Sequence, residues 1–468
     1  MEYKWTVLTV TTVGMFMSSL DGSIVIVGLP SILRELDTTL VYGVWVIAGY
    51  TLVSTILLVA LGRVADMFGR VRLYNLGFAL FTIASALCGF SQSGSQLVIF
   101  RLIQGIGAAL LTVNAVALVA DAFPLSELGL GIGVSFMAWN VGAIAGYTIG
   151  GLIVGLASWR FIFFINVPIG IFGTLWAHLR LRDIYHVISE KFDHLGTILY
   201  SSALTLVLVA LTLESGSSSL NFVLLIAGFF ALLLFVIVEK RIAYPALDLS
   251  LFKIRQFSAG NVASFVNALA YSSLPFIVTL YLQLVRHVDP LTTGLMFAPM
   301  EVVVAIVGPL SGRLSDRYGA RIISSVGLAF NTIAIFWFST LEESTSFVAI
   351  IAGLACIGMG RGFFSSPNAS SIMGQVPAGK RGVANGVRTT VSSSASVVSV
   401  PVSLTFMSLA MPYSKLSQIT QGIVTPTIEE TGTFLLALRY AVHISAFLVL
   451  LAIVPSLLRG KTNNNSNH

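Results

Sequence analysis

Runs of about 20 apolar residues recur from one end of this chain to the other, a length that carries a helix across a ~30 Å hydrocarbon core. In that medium every backbone N–H and C=O has to be satisfied within the chain, so a spanning segment of this kind is a helix. Hydrophobic residues make up 56% and charged residues 10% of the chain. A water-soluble domain carries about 25% charged residues, and the sequence therefore reads as an all-α polytopic membrane protein. The predicted spans are 5–29, 41–61, 73–90, 96–120, 128–156, 161–179, 195–213, 222–238, 257–284, 291–311, 322–341, 347–372, 383–409 and 434–458, fourteen in all. The first is expected to be a span rather than a cleaved leader. The thirteenth contains the serine-rich stretch "VSSSASVVSVP" (391–401) and is expected to be shielded from lipid by its neighbours.

An even number of spans puts both termini on one side, and Lys and Arg indicate which. Lys4, Arg63, Arg70, Arg72, Arg180, Arg182, Lys240, Arg241, Arg313, Arg317 and Arg321 fall on the side of the termini, while Arg34, Arg160, Arg286 and Lys415 fall opposite. By the positive-inside rule both termini are expected in the cytoplasm, with the protein in the plasma membrane. The formal net charge of +6 then reflects topology rather than a nucleic-acid partner. Cys88 and Cys356 lie in apolar runs and read as small core residues. The histidines are scattered, so no metal site and no cofactor are expected.

The chain repeats itself. "GRVADMFGR" (62–70) returns as "GRLSDRYGA" (312–320), 250 residues later. The segment 105–134 aligns without a gap onto 358–387, 253 residues later, sharing Gly105/Gly358, Gly107/Gly360, Pro124/Pro377, Gly129/Gly382 and Gly133/Gly386. This offset corresponds to eight spans. It predicts a six-helix bundle over 1–183, two extra spans over 184–250, a second six-helix bundle over 251–460 and a disordered tail over 461–468. Parallel six-span repeats place a substrate site at the midplane between the halves.

These motifs resemble the major facilitator superfamily, and within it the fourteen-span drug:proton antiporter branch of EmrB/QacA-like multidrug exporters. The resemblance rests on "GRVADMFGR", "RLIQGIGAA" (101–109), "LDGSIVIVGLP" (20–30) and "FINVPIG" (164–170), and covers nearly the whole chain. It implies the major facilitator fold with two extra central helices, alternating access, no enzymatic activity, and membrane lipid, protons and a small molecule as partners of a monomer. It also implies that the loop residues Gly62, Arg63, Asp66, Gly69 and Arg70, with Arg313 and Asp316 in the second copy, form a latch; a purely topogenic basic loop is the alternative. Asp66 and Arg70, four apart, are spaced to pair on a helix. One departure is specific. Where the branch carries G-x-x-x-G-P-x-x-G-G, "GAIAGYTIGG" keeps Gly142, Gly146, Gly150 and Gly151 but has Tyr147 in place of proline. The glycine spacing still allows close helix approach, and the proline kink is lost.

Asp21 stands alone in an apolar span, where a carboxylate costs roughly 2.5–3.5 kcal/mol on insertion scales and marks a function by default. Gly14, Ser18, Asp21, Val25 and Gly28 share one helical stripe of small residues, so this face turns inward. The family resemblance sets Arg101 near it. The two are expected to form a pair sensitive to protonation that biases the rocking of the halves, with a static packing pair as the alternative. Glu301 is a second intramembrane acid, with Arg361, Arg388, Arg439 and His443 as candidate partners. Trp45, Tyr50, Asn140, Asn267, Tyr271 and Asn368 fit a polar and aromatic cavity lining, or interfacial packing. No hydrolase, metalloprotease or phosphate-loop motif occurs, so energy is expected from an ion gradient. The expected function is proton-coupled export of lipophilic, often cationic compounds. An organic anion or metabolite is the alternative substrate, favoured by the surplus of membrane arginines, and a receptor or scaffold is the remote alternative.

Overall fold

The computed structural model describes residues 2–124, 127–183, 193–213, 218–242, 244–245, 247–377, 380–423 and 427–460, and among these there is no strand. Fourteen helical spans are long and apolar enough to cross a membrane. In chain order the helices are α1 (Tyr3–Glu35), α2 (Leu40–Phe68), α3 (Arg70–Phe90), α4 (Gly94–Ala122), α5 (Leu128–Leu156), α6 (Phe161–Phe164), α7 (Asn166–Arg180), α8 (His194–Thr212) and α9 (Ser218–Glu239). Then follow α10 (Arg255–Tyr271), α11 (Leu274–Leu280), α12 (Pro290–Tyr318), α13 (Ala320–Phe338), α14 (Phe347–Gly374), α15 (Arg381–Met407), α16 (Tyr413–Gln421) and α17 (Ile428–Leu457).

Several boundaries differ from the sequence expectation for identifiable reasons. The first span continues through Pro30 to Glu35, because a buried transmembrane helix tolerates the missing N–H. The sixth is broken at Ile165 into α6 and α7. The ninth is broken ahead of Pro275, which occupies the first turn of α11, and ends in a π-helical turn, Tyr281–Val285. Helix α16 was not anticipated: at nine residues it is too short to register as a span, yet it buries Leu416 and Ile419. The serine-rich α15 is shielded as expected. Its buried Ser394, Ser399 and Ser403 bond to Tyr200, to the Leu269 carbonyl and to Ser273.

The sequence repeat reappears in the backbone. Gly69 and Gly319, equivalent across the 250-residue offset, both sit between two helices with φ of 97° and 86°. This left-handed region is open to glycine and strained for other residues. The helix contacts repeat as well. Gly105 lies against the Tyr50 carbonyl and Gly358 against the Met300 carbonyl, while Gly107 packs on Phe81 and Gly360 on Asn331. Thus α2–α3–α4 and α12–α13–α14 are the same unit twice, held by close approach at small residues.

Helices α5 and α12 join the two repeats. They meet closely at one end, where a Cβ on Gly151 would lie 2.3 Å from the Pro290 carbonyl and one on Gly294 would lie 2.2 Å from the Tyr147 carbonyl. At the other end, which carries the basic loops, they part. A Cβ on Gly133 of α5 or Gly308 of α12 would touch nothing, and Phe136 and Ala305 on the same faces are exposed. The closed end is reinforced by Gln283 donating to the Val27 carbonyl at 3.0 Å and by the Leu40 amide donating to Ser417 of α16 at 3.0 Å. Among the described residues α5 and α12 thus frame a cleft that is closed at one end and open toward the basic end. Helix α8 bridges the other seam, bonding α2 through Trp45 and Thr212 (3.2 Å) and α15 through Tyr200 and Ser394 (2.5 Å).

Candidate functional site

Two buried ionic centres lie in the middle of the membrane helices. In the first, Arg101 of α4 donates through Nη1 to Asp21 of α1 and, at 2.6 Å, to Gln104. The other Asp21 oxygen accepts from Gln104 at 2.9 Å and from Asn166 of α7 at 2.8 Å. Arg101 also donates through Nε to the Val46 carbonyl at 3.0 Å, and its guanidinium lies 4.1 Å over the Tyr50 ring. Asp21 and Arg101 are 0% and 1% exposed, so this centre is sealed from the cleft in this conformation. Such a pair is held by geometry: taking two ions out of water costs several kcal/mol each, offset only when every lone pair is satisfied. The sequence reading found Asp21 and Arg101 but missed Gln104 and Asn166. Both were visible as lone amides inside apolar motifs, and the break at Ile165 places Asn166 at the start of α7.

The second centre lies between the halves. Glu301 of α12 accepts from Arg361 of α14 at 2.5 Å, and its other oxygen, Oε2, has no hydrogen-bond partner among the described residues. The Arg361 guanidinium sits 5.1 Å over the ring of Tyr271 on α10. One helical turn toward the closed end, Tyr147 of α5 stacks on Phe297 of α12, with ring centroids 4.9 Å apart and planes 26° apart. Tyr147 lies within electrostatic reach of Glu301, Arg361 and Tyr271. Glu301 is 2% exposed, whereas the Arg361 side chain is 19% exposed, so this centre has an opening that the first lacks.

The remaining candidate residues are dispersed. Tyr50 packs beneath Arg101 inside the first bundle, and Trp45 is engaged with α8. Asn267 accepts from Asn331 at 3.3 Å and Asn368 donates to Ser264 at 2.6 Å, both as buried inter-helix contacts. Asn140 is half-buried on the α5 face that leads from Tyr147 toward Gly133. Among the described residues Arg388 bonds only Asn385 of its own helix, 3.1 Å away, and no acid pairs with it. Arg439 donates to the Leu341 carbonyl, and His443 meets Phe336 edge-on.

Gly142, Gly146 and Gly150 line the α5 face that lies on α1, against Phe16, Leu20 and Ile24, and Gly151 faces α12. At the basic loops, Arg70 pairs with Asp121 at 2.6 Å, and Asp183 accepts from the Val71 amide at 2.9 Å. Arg313 and Asp316 are exposed and form no ion pair with each other. The side chains of Gly62, Arg63 and Asp66 lie outside the described residues, as does the tail from Lys461. Among the described residues no group of three His, Cys, Asp or Glu could hold a metal ion.

Two repeated helical units around a cleft open at one end, with ionic centres at mid-membrane, have the architecture of a membrane transporter. The chain belongs to the Major Facilitator Superfamily, whose model matches residues 11–400. It is 32% identical to the riboflavin transporter RibZ of Clostridioides difficile, an alignment covering 89% of this chain and 91% of that protein. It is 32% identical to the multidrug resistance protein Stp of Mycobacterium tuberculosis, covering 81% of this chain and 71% of that protein. It is 30% identical to the tetracenomycin C resistance and export protein of Streptomyces glaucescens, covering 82% and 72%. Its relatives thus include multidrug and antibiotic exporters, in keeping with the motif resemblance, and a vitamin transporter. A bacterial homologue of the lysosomal transporter Spinster, in an inward-facing and unoccupied conformation, superposes with a TM-score of 0.71 at 17% identity over 98% of this chain and 97% of that one. The family and the relatives are membrane transporters, not enzymes.

Proposed function

We propose that this protein is a proton-coupled exporter of flat, fused-ring aromatic compounds, neutral or anionic, working by alternating access. The observation that carries the reading is the Tyr147–Phe297 stack, contributed by both halves at the closed apex of the cleft and adjoining the Glu301–Arg361 pair. Two stacked rings at an interface that has to open present an aromatic slot, and a planar substrate replaces their mutual contact. Charge supports the same class. Asp21 and Glu301 are each already matched by an arginine, and Arg388 is a further half-buried cation without an acid among the described residues. Riboflavin, named in one relative, carries a flat fused-ring system, and export of tetracenomycin C is named in another.

Coupling is assigned to the two carboxylates. A proton on Glu301 weakens its hold on Arg361, frees the guanidinium for substrate, and changes the balance between the open and closed ends. With the basic end taken as cytoplasmic, this conformation is assigned to the state that loads substrate from inside. The two bundles of 1–183 and 251–460 are proposed as the rocking bodies, with α8 and α9 between them. A second reading, export of lipophilic cations, is favoured by the unpartnered Glu301 Oε2, which is an acceptor for a cationic group.

The test uses everted vesicles with an imposed pH gradient and four probes: riboflavin, its anionic monophosphate, the flat cation ethidium and the non-planar cation tetraphenylphosphonium. Gradient dissipation by riboflavin or its monophosphate, with tetraphenylphosphonium inert, supports the proposal. Dissipation by both cations alone transfers the assignment to the second reading.

A further inference from the structure

The duplicated helices differ at one pair of equivalent ends. In the first repeat, the N-terminus of α3 is met by a carboxylate: Asp183, just past α7, accepts from the Val71 amide at 2.9 Å and lies against Gly69. In the second repeat, α13 begins after Gly319 with the same backbone turn, but with no side-chain cap and no acidic residue in its first turn. Past the last helix, α17, the chain supplies no acid among the described residues, and Arg459 stands two residues beyond the helix end. Its side chain is 1% exposed, its Nε and Nη2 have no hydrogen-bond partner, and Nη1 reaches only Ser324 of α13, at 3.5 Å. Helix α10 begins alongside, also without a side-chain cap or an acid in its first turn. Its Arg255 donates to the Leu458 carbonyl at 2.7 Å, taking up a C-terminal carbonyl of α17 that Arg459 could otherwise have used.

A buried guanidinium with two donors idle among the described residues, beside two uncapped helix N-termini and no described counter-charge, is an arrangement whose missing element is an anion. We propose that Arg459, Ser324 and the N-terminus of α13 form a binding site for a phosphate oxyanion at the basic membrane edge of the second bundle. The oxyanion takes the place that Asp183 fills in the first. Burial pushes the Arg459 guanidinium down to about 10, so it remains charged at neutral pH. A site between helices at the membrane surface suits the headgroup of an anionic phospholipid, and free phosphate offers the same oxygens.

The experiment measures thermal unfolding of the full-length protein, stripped of lipid in detergent, for the parent, Arg459→Met and Arg459→Lys. Each is titrated with inorganic phosphate, with short-chain phosphatidylglycerol, and with an uncharged detergent of equal chain length. Expected is a crossover. Without anion, Arg459→Met melts higher than the parent because an uncompensated buried charge has gone. With phosphatidylglycerol, the parent rises above Arg459→Met, which does not respond. A response of the parent to inorganic phosphate as well assigns the site to the free anion, and a response to phosphatidylglycerol alone assigns it to lipid. Native mass spectrometry is expected to show phosphatidylglycerol retention falling about tenfold in Arg459→Met, the loss expected for charge-assisted bonds. Equal responses of parent and Arg459→Met, or no response of the parent to either phosphate source, overturn the proposal.

Discussion

Tyr147 stacks on Phe297 across the joint between the two repeats, at the residue where the exporter motif otherwise has proline. The substitution exchanges a kink for an aromatic surface, and the glycines around it let α5 and α12 approach closely enough for the rings to meet. An aromatic pair of this kind is worth about 0.5–1.5 kcal/mol beyond its buried area. Tyr147→Ala is therefore expected to raise KM for a flat aromatic substrate about 2- to 10-fold, with Tyr147→Phe close to the parent. Transport assays in vesicles read this directly, and equal KM values for Tyr147→Ala and the parent would remove the slot.

The Asp21 network makes a different demand. Both its ions are fully buried, so deleting one leaves the other without compensation, at a cost of about 3–5 kcal/mol. Asp21→Leu is expected to lower Tm strongly, whereas Asp21→Leu combined with Arg101→Leu recovers a large part of the loss. A double-mutant cycle by thermal unfolding measures the coupling. If the losses simply add, the pair does not act as a unit. Recovered stability without recovered gradient-driven transport separates the packing role of the pair from its proton role.

Gly146 is in contact where Gly133 is not. A Cβ on Gly146 would sit 2.6 Å from the Leu20 carbonyl, so Gly146→Ala pushes α5 off α1 and is expected to cost about 1–3 kcal/mol. Gly133→Ala meets nothing and is expected to leave Tm unchanged. Comparing the two melting curves checks the α1–α5 packing.

Asp248 and Lys380 pair at 2.8 Å outside the membrane spans. Burial opposes ionisation of Asp248, but hydrogen bonds from Lys380 and Ser250 prevail and hold its carboxyl below the usual range. A depressed carboxyl contributes stability above its unfolded pKa and loses it as pH falls through the folded value. The pair is therefore at full strength at pH 7 and fades only below about pH 4. Asp248→Asn is expected to lower Tm at pH 7 by an amount corresponding to at most ~1 kcal/mol, the range of exposed pairs, with the difference from the parent vanishing in acid. A difference that grows on acidification would contradict the sign.

Hydropathy made the fourteen spans legible because lipid permits so few backbone solutions, and the repeat made the duplication legible because the turn at Gly69 and Gly319 needs glycine. Asp21 and Arg101 could be read as expensive residues demanding partners. The identity of those partners could not. Glu301 had four candidate partners by sequence, and only the crossing of α12 and α14 selects Arg361. Tyr50 and Asn368 looked like cavity residues because polarity in a span has no direction in the sequence; rotation of the helix turned both into packing contacts. The cleft itself is a relation between distant faces of α5 and α12, and no local pattern encodes its angle.

Alternation has a direct structural consequence at that cleft. If the halves rock about the Tyr147–Phe297 level, the open faces at Gly133 of α5 and Gly308 of α12 close on one another in the opposite state, as Gly151 and Pro290 do in this one. A large side chain at Gly133 then leaves this conformation undisturbed and blocks the other. Gly133→Trp is expected to keep the parent's Tm and lose transport. In a background lacking Cys88 and Cys356, a Gly133→Cys, Gly308→Cys pair is expected to form a disulfide only during turnover and to stop transport until it is reduced. Cross-linking in the resting protein at the turnover rate would show that the basic end closes without coupling to transport, and the rocking geometry drawn from α5 and α12 would have to be abandoned.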